Sequence, residues 1–327
     1  MVPDGFRRGA PFSLYDHQVE YLSRFYLVRG SAKWAPKDPI KAPAFVYRRG
    51  MLIEPQKKGK GPLSAAHICL EGLGPALFAG WAGSDDGYVC AQYGCGCGWV
   101  YAYEPGEPMG MPWPTPLIQV TAISEEQTDN IYGALRPMIE LGALDDLVPA
   151  VGEEFTRLPG GGRIDTVTSS AQSRLGQRVT FVPQDEVGLW TAKNKMIKVA
   201  RVQYRGLAGM GGRASLTSNA WDRTEGSLAQ LEYEAAVKDV LVQFRQAPAH
   251  LRFTNQRERA QILRFAYAET SRTRGGHVDL DAIEAEAADL VKKDPGEAER
   301  FFGNRLNSGL GQWLTEEAWV NAYAGAR

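Results

Sequence analysis

The chain has 327 residues, of which 44% are hydrophobic, and its 37 basic and 38 acidic side chains leave a formal net charge of −1. That length suits one large domain or two ordinary domains with a substantial core. The near-neutral charge excludes a protein that coats nucleic acid over its whole surface, so any DNA contact must be local. Because no apolar run approaches a membrane span and the N-terminus lacks the apolar core of a signal peptide, we expect a soluble intracellular protein.

The first part of the chain predicts a helix, a strand, a glycine-rich loop and a second helix, in that order. Residues 12–28 carry apolar side chains at helical spacing. Residues 42–55 contain two short extended runs, Phe45–Tyr47 and Met51–Ile53, and the second leads directly into EPQKKGKGPLSAA at 54–66. The apolar segment after this loop predicts a buried helix. Strand, loop and helix in that order are the context that a phosphate-binding loop requires.

The next segment leaves the core and returns to it. Residues 83–116 are rich in glycine and proline, which predicts that this segment of the chain lies outside the core as an excursion. Residues 116–123 then predict a buried strand that ends at Ser124. Gln127, three residues on, indicates a capping-box start for a helix that runs to about Glu140.

The second half of the chain continues the alternation of strands and helices. Its predicted elements are a turn-rich stretch at 162–177, strands at 178–190 and 214–221, helices at about 226–245 and 279–293, and a helix start at Asp294–Pro295. Strands that alternate with helices predict a parallel α/β sheet, here with a helical C-terminal section.

The Gly-Lys loop is the first of three candidate functional stretches. Glycine lets backbone N–H groups turn toward a phosphate, and the following helix presents its positive end. Gly59 would allow this close approach, and Lys60 would reach the β- and γ-phosphates. Gly61 stands where a Ser or Thr would coordinate Mg²⁺, so the metal would depend on Ser64, another residue or water. The residues alone leave open whether this is a nucleotide site or a solvated lysine turn.

Adjacent acids and a short polar run end two later strands. Asp185 suits Mg²⁺ through its hydration shell, and Glu186 suits polarising a water that attacks a γ-phosphate. Pro183 favours the alternative of two exposed turn acids, because it removes a donor from the strand. The polar side chains of Thr217–Asn219 suit contacts to the γ-phosphate or its attacking water, although such residues are also common in turns.

Four cysteines are too few for a disulfide scaffold in a chain of this length. Three of them, Cys90, Cys95 and Cys97, lie in CAQYGCGCGW, which has no histidine nearby. His67 could be a fourth ligand only through folding that the sequence does not show. Most structural zinc sites show two paired knuckles, and the spacing here is irregular. We therefore favour a glycine-rich turn with buried thiols over a metal site.

Four stretches together resemble a known family. In chain order they are YDHQ, EPQKKGKGPLSAA, TFVPQDEVGLW and SLTSNAWDRTEGSLAQ, and the resemblance extends into AQILRFAYAETS and DPGEAERFFGNRL. They resemble the large terminase subunits of tailed double-stranded DNA bacteriophages, particularly the long-tailed phages of actinobacteria. The resemblance implies an additional-strand P-loop ATPase that packages the genome through the portal, joined to a C-terminal nuclease of RNase H type.

The resemblance also implies roles for residues at four places in the chain. These are the Walker A pair Gly59 and Lys60, the Walker B acids Asp185 and Glu186, the coupling motif Thr217, Ser218 and Asn219, and the adenine contacts Tyr15 and Gln18. Two positions depart from the family pattern. Gln56 stands where the family often has an arginine, which Lys57 or Lys58 would replace, and Gly61 stands where it has Ser or Thr.

A ring ATPase also needs a cation that stabilises the transferring phosphoryl group. Arg201, Arg205 and Arg213 lie between the acidic and coupling motifs, and Arg213, in the glycine-rich GMGGR, is the preferred candidate. The resemblance implies ATP and Mg²⁺ as cofactors. It implies as partners double-stranded DNA held nonspecifically by its backbone, the portal protein, the small terminase subunit, a nuclease domain or chain, and a homo-oligomeric ring of five copies.

The predictions combine into a P-loop ATPase domain at 1–250, which contains the excursion at 83–116, and a helical lid or linker subdomain at 251–327. The sequence after Leu314 is too short for the nuclease, which we expect on another chain or removed. The leading hypothesis is a packaging motor in the host cytoplasm, transiently at the procapsid portal vertex. The alternatives are a hydrolysis-deficient P-loop scaffold that binds portal or nuclease and, least favoured, a zinc-stabilised binding module.

Overall fold

The computed structural model describes residues 1–37, 44–152, 155–168 and 177–306. Its α-helices are α1 (Asp16–Phe25), α2 (Lys60–Leu73), α3 (Glu125–Glu140), α4 (Met196–Met210), α5 (Leu228–Ala235), α6 (Gln256–Ala266), α7 (Leu280–Lys293) and α8 (Pro295–Gly303). Its strands are β1 (Arg49–Ile53), β2 (Leu77–Trp81), β3 (Gly87–Val89), β4 (Val100–Ala102), β5 (Pro108–Met111), β6 (Leu117–Thr121), β7 (Ala150–Val151), β8 (Phe155–Arg157), β9 (Arg163–Val167), β10 (Phe181–Gln184), β11 (Arg213–Ser218) and β12 (Val240–Phe244). Among these helices, none has the length and apolarity that crossing a membrane requires.

An eight-stranded sheet organises the fold, in the order β12-β1-β11-β10-β6-β9-β8-β7. The strands from β12 to β9 run parallel, and β8 and β7 add an antiparallel edge. The carboxyl ends of the parallel strands therefore meet at one edge, where α/β sheets place their ligands. The strand β11 lies between β1 and β10. This is the position of the additional strand in the predicted additional-strand P-loop fold.

Helices cover both faces of the parallel sheet, and alternate side chains of one strand show this. Leu52 of β1 belongs to an apolar cluster that includes side chains of α1, α2 and α3. Its neighbours Met51 and Ile53 belong to a second cluster that includes side chains of α4 and α5. Successive side chains of a strand point to opposite faces, so an almost fully apolar strand is buried on both sides. The predicted α/β architecture with a mainly parallel sheet is confirmed.

The helices α6, α7 and α8 share a third apolar cluster of their own. Side-chain caps define their starts: Asn255 accepts from two backbone N–H groups of α6, Asp279 does the same for α7, and Asp294 accepts from Glu297 N. The helix start predicted at Asp294–Pro295 is confirmed. The domain boundary at residue 250 stays a prediction, and residues 307–327 of the predicted helical subdomain lie outside the described residues.

Several local predictions were wrong, and tertiary pairing is the reason. The stretch at 162–177 contains the strand β9, which pairs with β6 along its full length, while residues 169–176 of it lie outside the described residues. The helix predicted at 226–245 ends at Ala235, and its last part is the strand β12. The run Phe45–Tyr47 forms only a bridge from Phe45 to Val28. The helix α4 was not predicted.

The excursion at 83–116 is a small antiparallel β-structure. Its strand β5 pairs with β2, which lies just before the excursion, and β3 and β4 form a hairpin within it. All three residues of β4 are exposed. The hairpin therefore has little apolar core of its own.

Arg213 does not lie at the carboxyl edge of the sheet, where the strand ends meet, so the structure does not support its prediction as the catalytic arginine. It begins β11, about 13 Å along the strand from Thr217 at 3.3 Å per residue. Its guanidinium pairs with Glu71 at 3.0 Å, donates to the Phe25 carbonyl and lies 3.8 Å from the ring centroid of Phe45. With only 5% of the residue exposed, Arg213 cannot reach a neighbouring subunit.

We expect Arg213→Ala to lower the free energy of unfolding by about 3–5 kcal/mol, because it leaves Glu71 buried without its partner. Burial already raises the pKa of Glu71, against the lowering effect of Arg213. The folded variant therefore binds a proton that the unfolded chain releases, and the loss of stability should shrink as pH falls. Urea denaturation at neutral and mildly acidic pH measures both effects.

The matched control is Arg201→Ala on the exposed side of α4, which should change stability by less than about 0.5 kcal/mol. An Arg213→Ala protein with unchanged stability and no ATP turnover would contradict this structural role and would support the predicted catalytic role of Arg213.

Candidate functional site

The Gly-Lys loop joins the end of β1 to the start of α2. Gly59 caps α2 with φ 92° and ψ 24°, a left-handed conformation that glycine adopts without strain. A side chain at this position would come no closer than 3.6 Å to Gln18 and His277. The backbone angle, rather than a lack of space, therefore requires glycine. The helix then begins at Lys60, so its first unpaired N–H groups face the loop.

The ammonium group of Lys60 links the loop to the strand β11. Its Nζ donates to the carbonyls of Glu54 and Pro55, each at 2.9 Å, and to Oδ1 of Asn219 at 2.7 Å. These three acceptors use all three of its protons. Burial lowers the pKa of Lys60, against the raising effect of nearby carboxylates, of which Asp185 is the strongest.

The adjacent acids follow the last residue of β10. Asp185 accepts from Thr217 Oγ1 at 2.6 Å and from the backbone N–H of Glu186 at 3.0 Å. Glu186 has φ 52° and ψ 42°, a strained conformation for a residue with a side chain, and its carboxylate accepts from Gln127 Nε2 at 3.3 Å. Burial raises the pKa of both carboxyl groups, and the charge of Asp185 raises that of Glu186 further.

The end of β11 contacts both neighbouring strands. Thr217 donates to Asp185, while Asn219 accepts from Lys60. Ser218 accepts from the backbone N–H of Gly188 at 2.9 Å, and its carbonyl accepts from Glu54 N at 2.9 Å. Three successive residues therefore connect the lysine loop, the acids and the turn that follows the acids.

Tyr15 and Gln18 lie against the same loop. Gln18 Oε1 accepts from Tyr15 N at 3.1 Å at the start of α1. The Tyr15 hydroxyl lies 2.8 Å from Nδ1 of His277, and Nε2 of His277 lies 2.9 Å from the Lys57 carbonyl. Because only Nε2–H can donate to that carbonyl, a neutral His277 accepts from Tyr15. No sequence motif pointed to His277, a single histidine in a glycine-rich turn far along the chain.

The C-terminal helices also hold the loop backbone. Gln56 N donates to the Phe301 carbonyl at 2.8 Å, and the Tyr267 hydroxyl donates to the Gln56 carbonyl at 2.8 Å. Lys58 is buried, and its ammonium lies 3.2 Å from Glu54. Of the two lysines predicted to replace the family arginine, Lys57 is the exposed one.

A buried network of charge lies beneath the loop. Glu54 lies 3.3 Å from Nε2 of His17, whose backbone N–H donates to Glu269 at 2.9 Å. Burial raises the pKa of Glu54, but the neighbouring His17 and the charge of Lys58 outweigh this, and its pKa lies below the ordinary value. The loop is therefore tied electrostatically to α1 and to the chain beyond α6.

Close packing of α3 explains the departure at Gly61. A Cβ atom there would lie 2.6 Å from the Asn130 carbonyl oxygen, closer than two such atoms approach. A Ser or Thr hydroxyl at this position is therefore excluded without movement of α3. The Asp185 carboxylate and its hydroxyl partner Thr217 offer oxygen atoms of the kind that a hard cation such as Mg²⁺ prefers.

The structure thus brings the predicted site residues to one edge of the sheet, with the exception of Arg213. Their catalytic and binding roles stay predictions. Residues that the sequence analysis missed are His277, Gln127 and His17, each of which reaches the site from a different element.

The chain is similar to two curated phage proteins over part of its length. It is 30% identical over 146 residues to the Gene 13 protein of Mycobacterium phage D29, and 29% identical over 146 residues to that of Mycobacterium phage L5. The matched region is 45% of this chain and 21% of each relative. No protein-family model matches the chain.

Among solved structures, the large terminase of bacteriophage HK97 has the same fold. The TM-score is 0.60 at 14% sequence identity, over 95% of this chain and 54% of the HK97 protein. The chain therefore has the fold of a phage large terminase, over about half the length of that protein. This confirms the resemblance at the level of the fold.

Gly61→Ala should lower the free energy of unfolding by about 1–3 kcal/mol, because the added methyl group meets the Asn130 carbonyl. The matched control is Gly133→Ala on the exposed face of α3, where no atom lies within 4 Å of the new Cβ. That variant should be more stable by about 0.5–1 kcal/mol, the usual gain in a helix interior. Chemical denaturation compares the two variants, and equal gains in both would contradict the packing explanation.

Proposed function

We propose that the chain is the ATP-hydrolysing motor domain of a phage large terminase and that it drives double-stranded DNA into the procapsid. The observation that carries this proposal is the pair of contacts at the end of β11. Asn219 bonds to Lys60 and Thr217 bonds to Asp185, so a lysine that follows β1 and an acid that follows β10 converge on the end of β11. This is the arrangement that binding and hydrolysis of a nucleoside triphosphate require.

In this mechanism the loop at 56–61 binds the triphosphate and Glu186 positions the attacking water. Burial raises the pKa of Glu186, which makes it a better proton acceptor, and Gln127 fixes its carboxylate. Magnesium, held by Asp185 through its hydration shell, would neutralise charge on the β- and γ-phosphates. Any change in the contacts of Lys60 reaches β11 through Asn219, so the coupling motif would sense loss of the γ-phosphate.

The partners follow from the same proposal. Double-stranded DNA would be held through its phosphate backbone and without sequence preference. Portal protein, the small terminase subunit and a nuclease domain or chain would complete the machine in the host cytoplasm, at the portal vertex. A ring of five copies would place an exposed arginine of one subunit at the site of the next, and Arg201 and Arg205 on α4 are both exposed.

A second candidate function is a P-loop scaffold that binds portal or nuclease without hydrolysis. The observation that favours it is the steric exclusion of a hydroxyl at Gly61, which removes the usual side-chain ligand of magnesium. Nucleotide affinity measured with and without Mg²⁺ separates the two functions. A motor needs the metal for tight binding, whereas a scaffold of this kind would bind equally well without it.

Glu186→Gln should keep nucleotide affinity within a few-fold and lower ATP turnover by at least about 100-fold, because the amide cannot accept a proton from the attacking water. The amide oxygen can still accept from Gln127, so the local structure should persist. Fluorescent-nucleotide binding and single-turnover hydrolysis measure the two properties.

The matched control is Glu225→Gln, an exposed acid in the turn after the coupling motif, which should hydrolyse ATP like the unmodified chain. Turnover of the Glu186→Gln protein near the unmodified rate would reject the assignment of the catalytic carboxylate.

ATP turnover per subunit should rise steeply with protein concentration and with added double-stranded DNA, because the proposed site is completed by a neighbouring subunit. The stimulation by DNA should disappear as salt rises, since backbone contacts release counterions. Glu186→Gln chains mixed into unmodified protein should inhibit more than in proportion to their fraction, whereas Glu225→Gln chains should not. A turnover per subunit that does not change with protein concentration or added DNA, and that falls only in proportion to the fraction of Glu186→Gln chains, would contradict a ring motor.

A further inference from the structure

Three thiols meet at the tip of the β3–β4 hairpin. Cys90 follows β3 directly, and Cys95 and Cys97 lie in the loop that leads to β4. The three sulfur atoms all lie within 4.8 Å of one another, and those of Cys90 and Cys97 are 3.3 Å apart. The burial is graded, since Cys90 is buried, Cys95 is half-buried and Cys97 is exposed. The fourth cysteine, Cys69, lies on α2 and is outside this cluster.

The spacing of the sulfur atoms suits a tetrahedral metal ion. Zinc–sulfur bonds of about 2.3 Å place two sulfurs of one tetrahedron about 3.8 Å apart, which is within about half an ångström of the 3.3 Å between Cys90 and Cys97 and within the 4.8 Å limit that holds for all three. A disulfide requires about 2.05 Å, so the pair Cys90 and Cys97 would have to close by more than an ångström. Thiolate sulfur is a soft ligand and selects zinc over the hard cations that carboxylates bind.

The backbone around the thiols holds their sulfur atoms together. The N–H group of Cys90 donates to the Trp99 carbonyl at 3.1 Å, and the N–H group of Cys95 donates to the Cys90 carbonyl at 3.3 Å. These bonds close the loop that carries the three thiols, so a metal ion would meet ligands that are already gathered.

A metal ion at this place would stabilise the hairpin. Its strand β4 is exposed throughout, and the rings of Tyr93 and Trp99 both pack on Tyr88 while remaining 44% and 49% exposed. A small unit with so little buried surface usually needs an additional stabilising element, such as a disulfide or a structural metal ion. An ion at the tip would fix the loop that positions Tyr93 and Trp99.

We propose that Cys90, Cys95 and Cys97 bind a zinc ion that fixes the tip of the hairpin, with the fourth position of the ion open to water or to a group from a partner. The proposal is independent of nucleotide hydrolysis, because it uses none of the residues at the carboxyl edge of the sheet.

The test uses the full chain, purified with reducing agent and without chelator. We expect about one zinc ion per chain by plasma mass spectrometry, and cobalt in its place should give a sulfur-to-metal charge-transfer band. The double variant Cys95→Ser/Cys97→Ser should lose both signals, while the matched control Cys69→Ser should keep them. Chelation should speed proteolytic cleavage within residues 90–99 in the unmodified chain and leave cleavage of the double variant unchanged.

Reduced protein that takes up no zinc when zinc is added would overturn the proposal. So would full retention of zinc by the double variant, or a Cys90–Cys97 disulfide as the stable form of the freshly purified chain. Since metal content is read without ATP, these outcomes do not depend on whether the chain is a motor.

Discussion

The arrangement of the carboxyl edge of the sheet depends on the end of β11, which contacts the segments that follow both neighbouring strands, β1 and β10. In the parallel register Ile53 of β1 lies opposite Ser218 of β11, and Gln184 of β10 lies opposite Leu216. Parallel neighbours are about 4.8 Å apart, so the loop after β1 and the acids after β10 are separated by the width of β11. The end of β11 contacts both, because Thr217 bonds to Asp185 and Asn219 bonds to Lys60. A one-residue slip in register would break both contacts at once.

The C-terminal helices α6–α8 and the turn before α7 are bonded to the backbone of the Gly-Lys loop. Gln56 uses both its N–H and its carbonyl in bonds to Phe301 and Tyr267, and His277 binds the carbonyl of Lys57. Movement of the loop must therefore break these bonds or carry the helices with it. The structure offers a direct mechanical path from the loop to α6–α8, and a motor would require such a path between its chemistry and its moving parts.

Local signals in the sequence predicted the parts of the fold that local physics decides. The strand before the Gly-Lys loop, the Ser124 cap and the Asp294 cap are all present, because backbone preferences and side-chain caps act within a few residues. The strand β9, polar at Asp165, was missed because its pairing with β6 is a long-range contact. Arg213 was misplaced for the same reason, since only the folded chain brings Glu71 beside it.

The departure at Gly61 and the contact made by Gln127 are two results of one packing arrangement. The helix α3 lies so close to the start of α2 that its Asn130 carbonyl occupies the place of a side chain at position 61. The same helix begins with the Ser124 cap, which accepts from Gln127 N, and this leaves the Gln127 side chain free to reach Glu186. A helix that retreated far enough to admit a hydroxyl would also withdraw Gln127 from the strained acid. Glycine at position 61 and the contact from Gln127 to Glu186 therefore depend on the same position of α3, and the two features should change together.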